Sequence, residues 1–200
     1  MESSLRFLKA DKRLAKVIKK YGLIKPELGR SSDPFQSLGK AIIYQQISGK
    51  AAESILKKFV GLFPKKKFPS PDDVLKIKFE KLRSAGLSSQ KANYIKDLAL
   101  KFKDGTVSSK NFHKMPDREI VEHLTAVKGI GVWTAQMFLM FYLNRPDVLP
   151  TGDLGIQKGF QKLFGLKQLP SSKQMEKLSL GWQGHRTVAS LYLWKAVDDK

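Results

Sequence analysis

Apolar residues recur along this chain at helical spacing. Between Asp11 and Tyr21, the residues Leu14, Val17 and Ile18 share one stripe, and Gly22 stands where the helix should stop. From Pro34 to about Ser48, Phe35, Leu38, Ile42 and Ile43 fall at i, i+3, i+7 and i+8. Asp33 before Pro34 predicts an N-cap with proline in the first helical position. Ala51, Ile55, Phe59 and Leu62 line one face of a helix over about Lys50 to Phe63. Further helices are predicted over about 71–77, 79–84, 88–102, 117–126, 132–143, 153–164, 172–180 and 184–196, with Ser172 as a candidate cap. Loops fall at GLIKPELGRSSDP and between Pro64 and Pro71. Strand-like alternation is nearly absent, so the expectation is an all-α chain of about ten helices joined by short loops.

Composition narrows what such a chain can do. At 200 residues and 42% hydrophobic, it can build a core as one domain or two closely packed lobes. No apolar run approaches the roughly 18–20 residues that a membrane span needs. The N-terminal MESSLRFLKADKRL has no signal-peptide core, so neither secretion nor a membrane is expected. Cysteine is absent, which excludes disulfides, thiolate metal sites and iron–sulfur clusters. The net charge of +19, from 37 Lys plus Arg against 18 Asp plus Glu, suits nucleic acid. Solubility or an anionic membrane surface would also accommodate it. Its lysines are scattered, with one block at Lys65-Lys66-Lys67, which favours a folded basic face over a basic tail.

Two stretches carry candidate chemistry. The first is Val127-Lys128-Gly129-Ile130-Gly131, between two predicted helices. Glycines two apart permit a sharp hairpin and leave the first N–H groups of the next helix open to an anion. Lys128 adds charge, Thr134 adds a hydroxyl one turn on, and Val132 lies at the helix start. Such a turn binds phosphates without reading sequence. An ordinary helix C-cap glycine is the simpler reading of each glycine alone. The second stretch is the loop 144–153, where Pro146, Pro150 and Gly152 bend the chain and deliver Asp153 to a helix start. Taken alone, Asp153 reads as an N-cap.

Four segments in order carry a family resemblance: Ala41-Ile42-Ile43-Tyr44-Gln45-Gln46-Ile47-Ser48, Lys128-Gly129-Ile130-Gly131-Val132-Trp133-Thr134-Ala135, Leu149-Pro150-Thr151-Gly152-Asp153-Leu154-Gly155-Ile156 and Trp182-Gln183-Gly184-His185-Arg186-Thr187-Val188-Ala189. The chain resembles the helix-hairpin-helix–Gly/Pro–Asp superfamily of DNA glycosylases. Within it, the chain resembles the compact, all-helical form of the 3-methyladenine DNA glycosylase II (alkylbase glycosylase) branch found in bacteria and fungi. The resemblance implies one glycosylase domain over 1–200, hairpin about 120–143, with an active-site cleft between two lobes.

It also implies roles. Asp153, 22 residues after Gly131, matches the family's catalytic aspartate. Trp133 matches a pocket tryptophan, and Tyr44, Trp182 and His185 are further candidates for a pocket that stacks on a cationic purine. Met137 and Leu154 stand where some bacterial relatives carry tyrosine, so this pocket is less aromatic. Gln46, in the turn with Ile47 and Ser48, matches the side chain that fills the gap left by a flipped nucleotide.

Strand-cleaving relatives carry a Schiff-base lysine where this chain has Trp133, and no amine occurs between Gly131 and Arg145, so water is the expected nucleophile. No cofactor is expected beyond an alkali ion, Na+ or K+, at the carbonyls of Thr125, Val127 and Gly129. His113, His123 and His185 lack ligand spacing.

The implied activity is release of alkylated purines such as 3-methyladenine and 7-methylguanine from double-stranded DNA, leaving an abasic site. The protein would act as a monomer, nuclear in a eukaryote and otherwise in the cytoplasm or nucleoid. The rival is a binder of damaged or abasic DNA with the same fold and no useful turnover.

Overall fold

The computed structural model describes residues 1–24, 33–64, 66–108 and 111–198. The chain divides into two compact units, Met1–Leu28 with Leu139–Lys200, and Gly29–Phe138. Among the described residues every regular element is helical: α1 (Glu2–Leu8), α2 (Lys12–Tyr21), α3 (Pro34–Tyr44), α4 (Gly49–Gly61), α5 (Pro71–Lys76), α6 (Phe79–Ser84), α7 (Ser89–Lys103), α8 (Asp117–Thr125), α9 (Val132–Phe141), α10 (Leu154–Phe164), α11 (Ser172–Leu178) and α12 (Arg186–Asp198), with a 3-10 turn at Leu180–Trp182. None of these helices is long and apolar enough to cross a membrane.

The all-α expectation holds, and the boundaries shift for local reasons. Helix α1 was not expected, because it buries only Ser4 and Leu8, too few positions to show a period. Helix α3 stops at Tyr44 rather than Ser48, because Gln46 turns into the left-handed region at φ 55°. Ser48 instead caps α4, its Oγ accepting from Ala51 N–H. The cap of α11 is Ser171, whose Oγ accepts from Gln174 N–H, and not Ser172. Asp33 caps α3 as expected, accepting from the N–H groups of Phe35 and Gln36. Most of the loop expected after Gly22, residues 25–32, and Lys65 of the basic block lie outside the described residues.

In the unit Gly29–Phe138, α7 is the helix on which α3, α5 and α6 pack. Its buried face carries Ala92, Ile95, Leu98 and Ala99. Phe59 is fully buried and meets Phe63 and Phe68 at ring-centroid distances of 5.5 and 5.7 Å. A side chain of that size contributes about 1.5–3 kcal/mol when taken out of water.

In the other unit, α10 packs along α12 and both meet α2. The core joins Leu14, Ile18, Ile156, Phe160, Met175, Trp182 and Tyr192. Gly159 lets α10 and α12 approach backbone to backbone: a Cβ there would lie 2.9 Å from the Leu193 carbonyl oxygen.

Candidate active site

The glycine turn joins α8 to α9. Ile130 N–H closes it by donating to Val127 O at 3.1 Å. Gly129 has φ 84°, and a Cβ there would lie 2.1 Å from the Tyr94 ring, so both conformation and space require glycine. Nothing lies within 4 Å of a Cβ built on Gly131, which leaves the first turn of α9 approachable from outside. Val132 and Trp133 are about half exposed there, at 55% and 49%, while Thr134 is buried. As in any α-helix, the N–H groups of that turn have no intrahelical acceptor. Lys128 projects at the exposed turn, and its backbone N–H donates to Asp97 Oδ2 at 2.8 Å.

Beside the turn lies an open cavity of about 1110 Å³. It collects Tyr44, Gln46, Ile47, Trp133, Thr134 and Met137, with Gly129 and Gly131 at its edge. Lys128, Val132 and Ser48 are not part of its lining. The lining also includes Gln45, Lys91 and Tyr94, which the sequence does not single out as site residues. Gln45 Nε2 donates to Gly129 O at 2.8 Å, which ties the turn after α3 to the hairpin. Lys91 Nζ donates to Ile43 O and Gln45 O, both at 2.7 Å. Burial pushes the Lys91 ammonium below its ordinary pKa, although its two carbonyl partners favour the charged form.

In the other unit Asp153 is the N-cap of α10. Its Oδ1 accepts from Ile156 N–H at 2.9 Å and from the indole Nε1–H of Trp194 at 2.8 Å. The cap bond orients the carboxylate, and α12 supplies a second donor. Gly155 makes room for this, since a Cβ there would lie 2.7 Å from Trp194 Cδ1 and 3.0 Å from Asp153 Oδ1.

The loop before Asp153 is bolted to the start of α12. Thr187 Oγ1 donates to Arg145 O at 2.6 Å and accepts from Val148 N–H at 3.0 Å. Arg186 grips Asp147 through two contacts of 2.6 Å. Burial pushes the Asp147 carboxyl up, but the hydrogen bonds and charge of Arg186 outweigh it and hold the group below its ordinary value. A second acid is thus consumed in holding the loop.

Two expected pocket residues are engaged elsewhere. Trp182 is 1% exposed, packs against Phe160 at 5.3 Å and Phe164 at 5.9 Å, and donates from Nε1 to Asp11 Oδ2 at 3.2 Å. It is a core tryptophan, not a pocket wall: its apolar surroundings and satisfied N–H leave nothing to present. His185 is half-buried against α1, with Nδ1 3.0 Å from Ser4 Oγ and its ring 4.5 Å from that of Phe7. Leu154 is 53% exposed in the first turn of α10.

Sequence spacing does not single out Trp194, because a tryptophan in an apolar helix reads as core. Only the indole N–H, which needs a partner when buried, could have drawn attention to it. The three carbonyls considered for an alkali ion are hard oxygen donors of the right kind. Val127 O already accepts from Ile130 N–H and Gly129 O from Gln45 Nε2, which leaves each one lone pair. No cluster of three metal-ligating side chains occurs among the described residues.

Helices α8 and α9, joined by the glycine turn, form a helix-hairpin-helix. The family model for the HhH-GPD superfamily of base excision DNA repair proteins matches residues 40–183, and the chain belongs to that superfamily. Among curated proteins it is similar to DNA-3-methyladenine glycosylase 1 of Schizosaccharomyces pombe, at 34% identity over 92% of this chain and 80% of that protein. The solved structure of the Schizosaccharomyces pombe 3-methyladenine DNA glycosylase with abasic DNA matches with a TM-score of 0.82 at 32% identity, over 96% of this chain and 95% of that one. A DNA-3-methyladenine glycosidase from Bacillus halodurans matches with a TM-score of 0.85 at 36% identity, over 96% and 88% of the two chains.

Proposed function

We propose that this protein is a base-excision repair enzyme: a monofunctional DNA glycosylase that hydrolyses the N-glycosidic bond of alkylated purines flipped out of duplex DNA. The observation that carries the reading is Asp153, a carboxylate fixed at a helix start by Ile156 N–H and Trp194 Nε1. The relatives' names, as 3-methyladenine glycosylases, support the substrate class, and the neighbour's abasic-DNA complex supports the partner.

The hairpin holds a backbone phosphate at the start of α9, with Lys128 adding charge. Carbonyl oxygens of Thr125, Val127 and Gly129 suit an alkali ion, which would help neutralise that phosphate. Gln46 fills the gap left by the flipped nucleotide, and Trp133 and Tyr44 stack on the cationic base. Cleavage breaks the bond from C1′ to the purine nitrogen, and the bonding pair leaves with the base and cancels its positive charge. Asp153 stabilises the oxocarbenium-like sugar. Water adds at C1′, loses a proton and leaves an abasic site. Trp133 stands where strand-cleaving relatives carry lysine, so the strand stays intact.

The test is Asp153→Asn assayed for free base on methylated duplex DNA. The expected loss is on the order of 10²–10³ in rate, with binding to abasic duplex retained. Release of 7-methylguanine or 3-methyladenine at the wild-type rate by this variant would remove the assignment. A wild-type protein that binds abasic DNA tightly and releases no base would be the non-catalytic binder instead.

A further inference from the structure

We propose that Lys91 and Gln45 are positioning residues: together they hold the turn after α3 in the one strained conformation that presents Gln46 to DNA. The proposal rests on the reading of Gln46 as the gap-filling side chain. Gln46 is exposed and sits at φ 55°. A non-glycine residue there costs about 1–2 kcal/mol. Such a backbone persists only where its surroundings over-determine it.

The surroundings here do so from two sides. Lys91 Nζ bonds Ile43 O and Gln45 O at 2.7 Å each, bracketing the end of α3 where the last carbonyls lack helical partners. Gln45 Nε2 crosses to Gly129 O at 2.8 Å, and so registers the turn against the phosphate-binding hairpin. The residue on the N-terminal side of Gln46 is thereby held at its carbonyl and at its side chain. On the other side, Ser48 is fixed as the cap of α4. Gln46 and Ile47 span the gap between these anchors and line the same cavity as Trp133.

This arrangement also assigns the lysine's chemistry. An amine that serves a Schiff base must be neutral and free to move. Lys91 instead donates to two carbonyls, which suits an ammonium strut and not a nucleophile. The same device recurs five residues on: Lys96 Nζ donates to Leu75 O and Ile77 O at the end of α5.

The test uses the full chain and reads binding, so it does not depend on turnover. Lys91→Met keeps the stem and removes the ammonium, Lys91→Arg restores a cation, and Gln45→Met removes the second strut. Each is titrated with intact duplex and with duplex carrying 2-aminopurine beside an abasic site. Lys91→Met should weaken abasic-duplex binding about tenfold, the size of a lost charged hydrogen bond, and reduce the fluorescence change. Its affinity for intact duplex, set by the hairpin, should stay within about twofold. Arginine should recover most of the loss, and in a Gln46→Ala background Lys91→Met should add nothing.

Wild-type abasic binding by Lys91→Met would overturn the proposal, as would equal losses on both duplexes, which is the signature of general destabilisation. If Lys91→Met does not fold, Gln45→Met carries the same two-duplex comparison. If Gln46→Ala itself binds abasic DNA as wild type, the strut has nothing to position and the proposal falls. Absence of base release by the wild-type protein would defeat the enzymatic reading and leave these binding results standing.

Discussion

Helices α7 and α12 play the same part in different units, and they do it by different means. Helix α7 holds its neighbours with long polar side chains that end on backbone groups: Lys91 on the turn after α3, Lys96 on the end of α5 and Asp97 on Lys128 N–H. Helix α12 holds its neighbours by a close backbone approach, Leu193 against Gly159, and by side chains that meet side chains or the loop backbone: Arg186 on Asp147, Trp194 on Asp153 and Thr187 on Arg145 O. Hydrogen bonds from a side chain fix a backbone at single atoms. A backbone pressed against a backbone is fixed along its length. The contrast suits the tasks proposed for the two regions. A turn that enters DNA must stay in register while its partner deforms. A carboxylate that stabilises a developing charge gains from not moving at all.

The sharpest way to break this comparison is Gly155→Ala. The added carbon would lie 2.7 Å from Trp194 Cδ1, so the indole must leave Asp153 Oδ1 or the helix start must shift. A displacement of about 1 Å at a reacting group costs on the order of 100-fold in rate. Single-turnover base release should therefore fall by about that factor while affinity for abasic duplex stays near wild type. An unchanged rate would mean that the close packing around α12 does not fix the carboxylate.

Trp194→Phe asks a narrower question. It keeps an aromatic ring facing Phe141, which stacks on Trp194 at 6.3 Å, and removes the part of the indole that carries the N–H reaching Asp153. The cap bond from Ile156 N–H remains. The expected loss is about tenfold in rate, the worth of one hydrogen bond to a charged group, with little change in melting temperature. A loss equal to that of Asp153→Asn would mean that Trp194 does more than orient the carboxylate.

These residues also mark where reading the sequence stops. Helices such as α2 and α4 are legible because their apolar faces repeat, the hairpin because its glycines stand two apart, and Asp153 only because its place after the hairpin matches the family's. Tyr44, Gln46, Trp133 and Met137 do share one cavity. Trp182 shows the failure: an aromatic residue in a matching segment gives no sign of which way it faces, and this one faces the core. Trp194, Lys91 and Gln45 show the converse. Each acts through an atom that meets a residue 41 to 84 positions away, and no local spacing encodes that. A lysine in a basic chain is the least conspicuous case, since 37 Lys and Arg residues offer the same side-chain chemistry to solvent.

The smallest expected effect comes from pairing two glycine substitutions inside helices. In α10, Gly159→Ala drives a carbon to 2.9 Å from Leu193 O, a backbone atom with nowhere to go. Overpacking of that kind costs about 1–3 kcal/mol. In α3, Gly39→Ala meets Phe68 Cζ at 3.1 Å, the far end of a half-buried side chain that can turn aside by a few tenths of an ångström. The gain in helix propensity, up to about 1 kcal/mol, offsets that adjustment. Urea unfolding should show a clear loss for Gly159→Ala, and for Gly39→Ala a change within about 0.5 kcal/mol of zero. Equal losses at both sites would erase the distinction between a packed scaffold and a strutted one. A loss only at Gly159 would place the rigidity where the carboxylate is held.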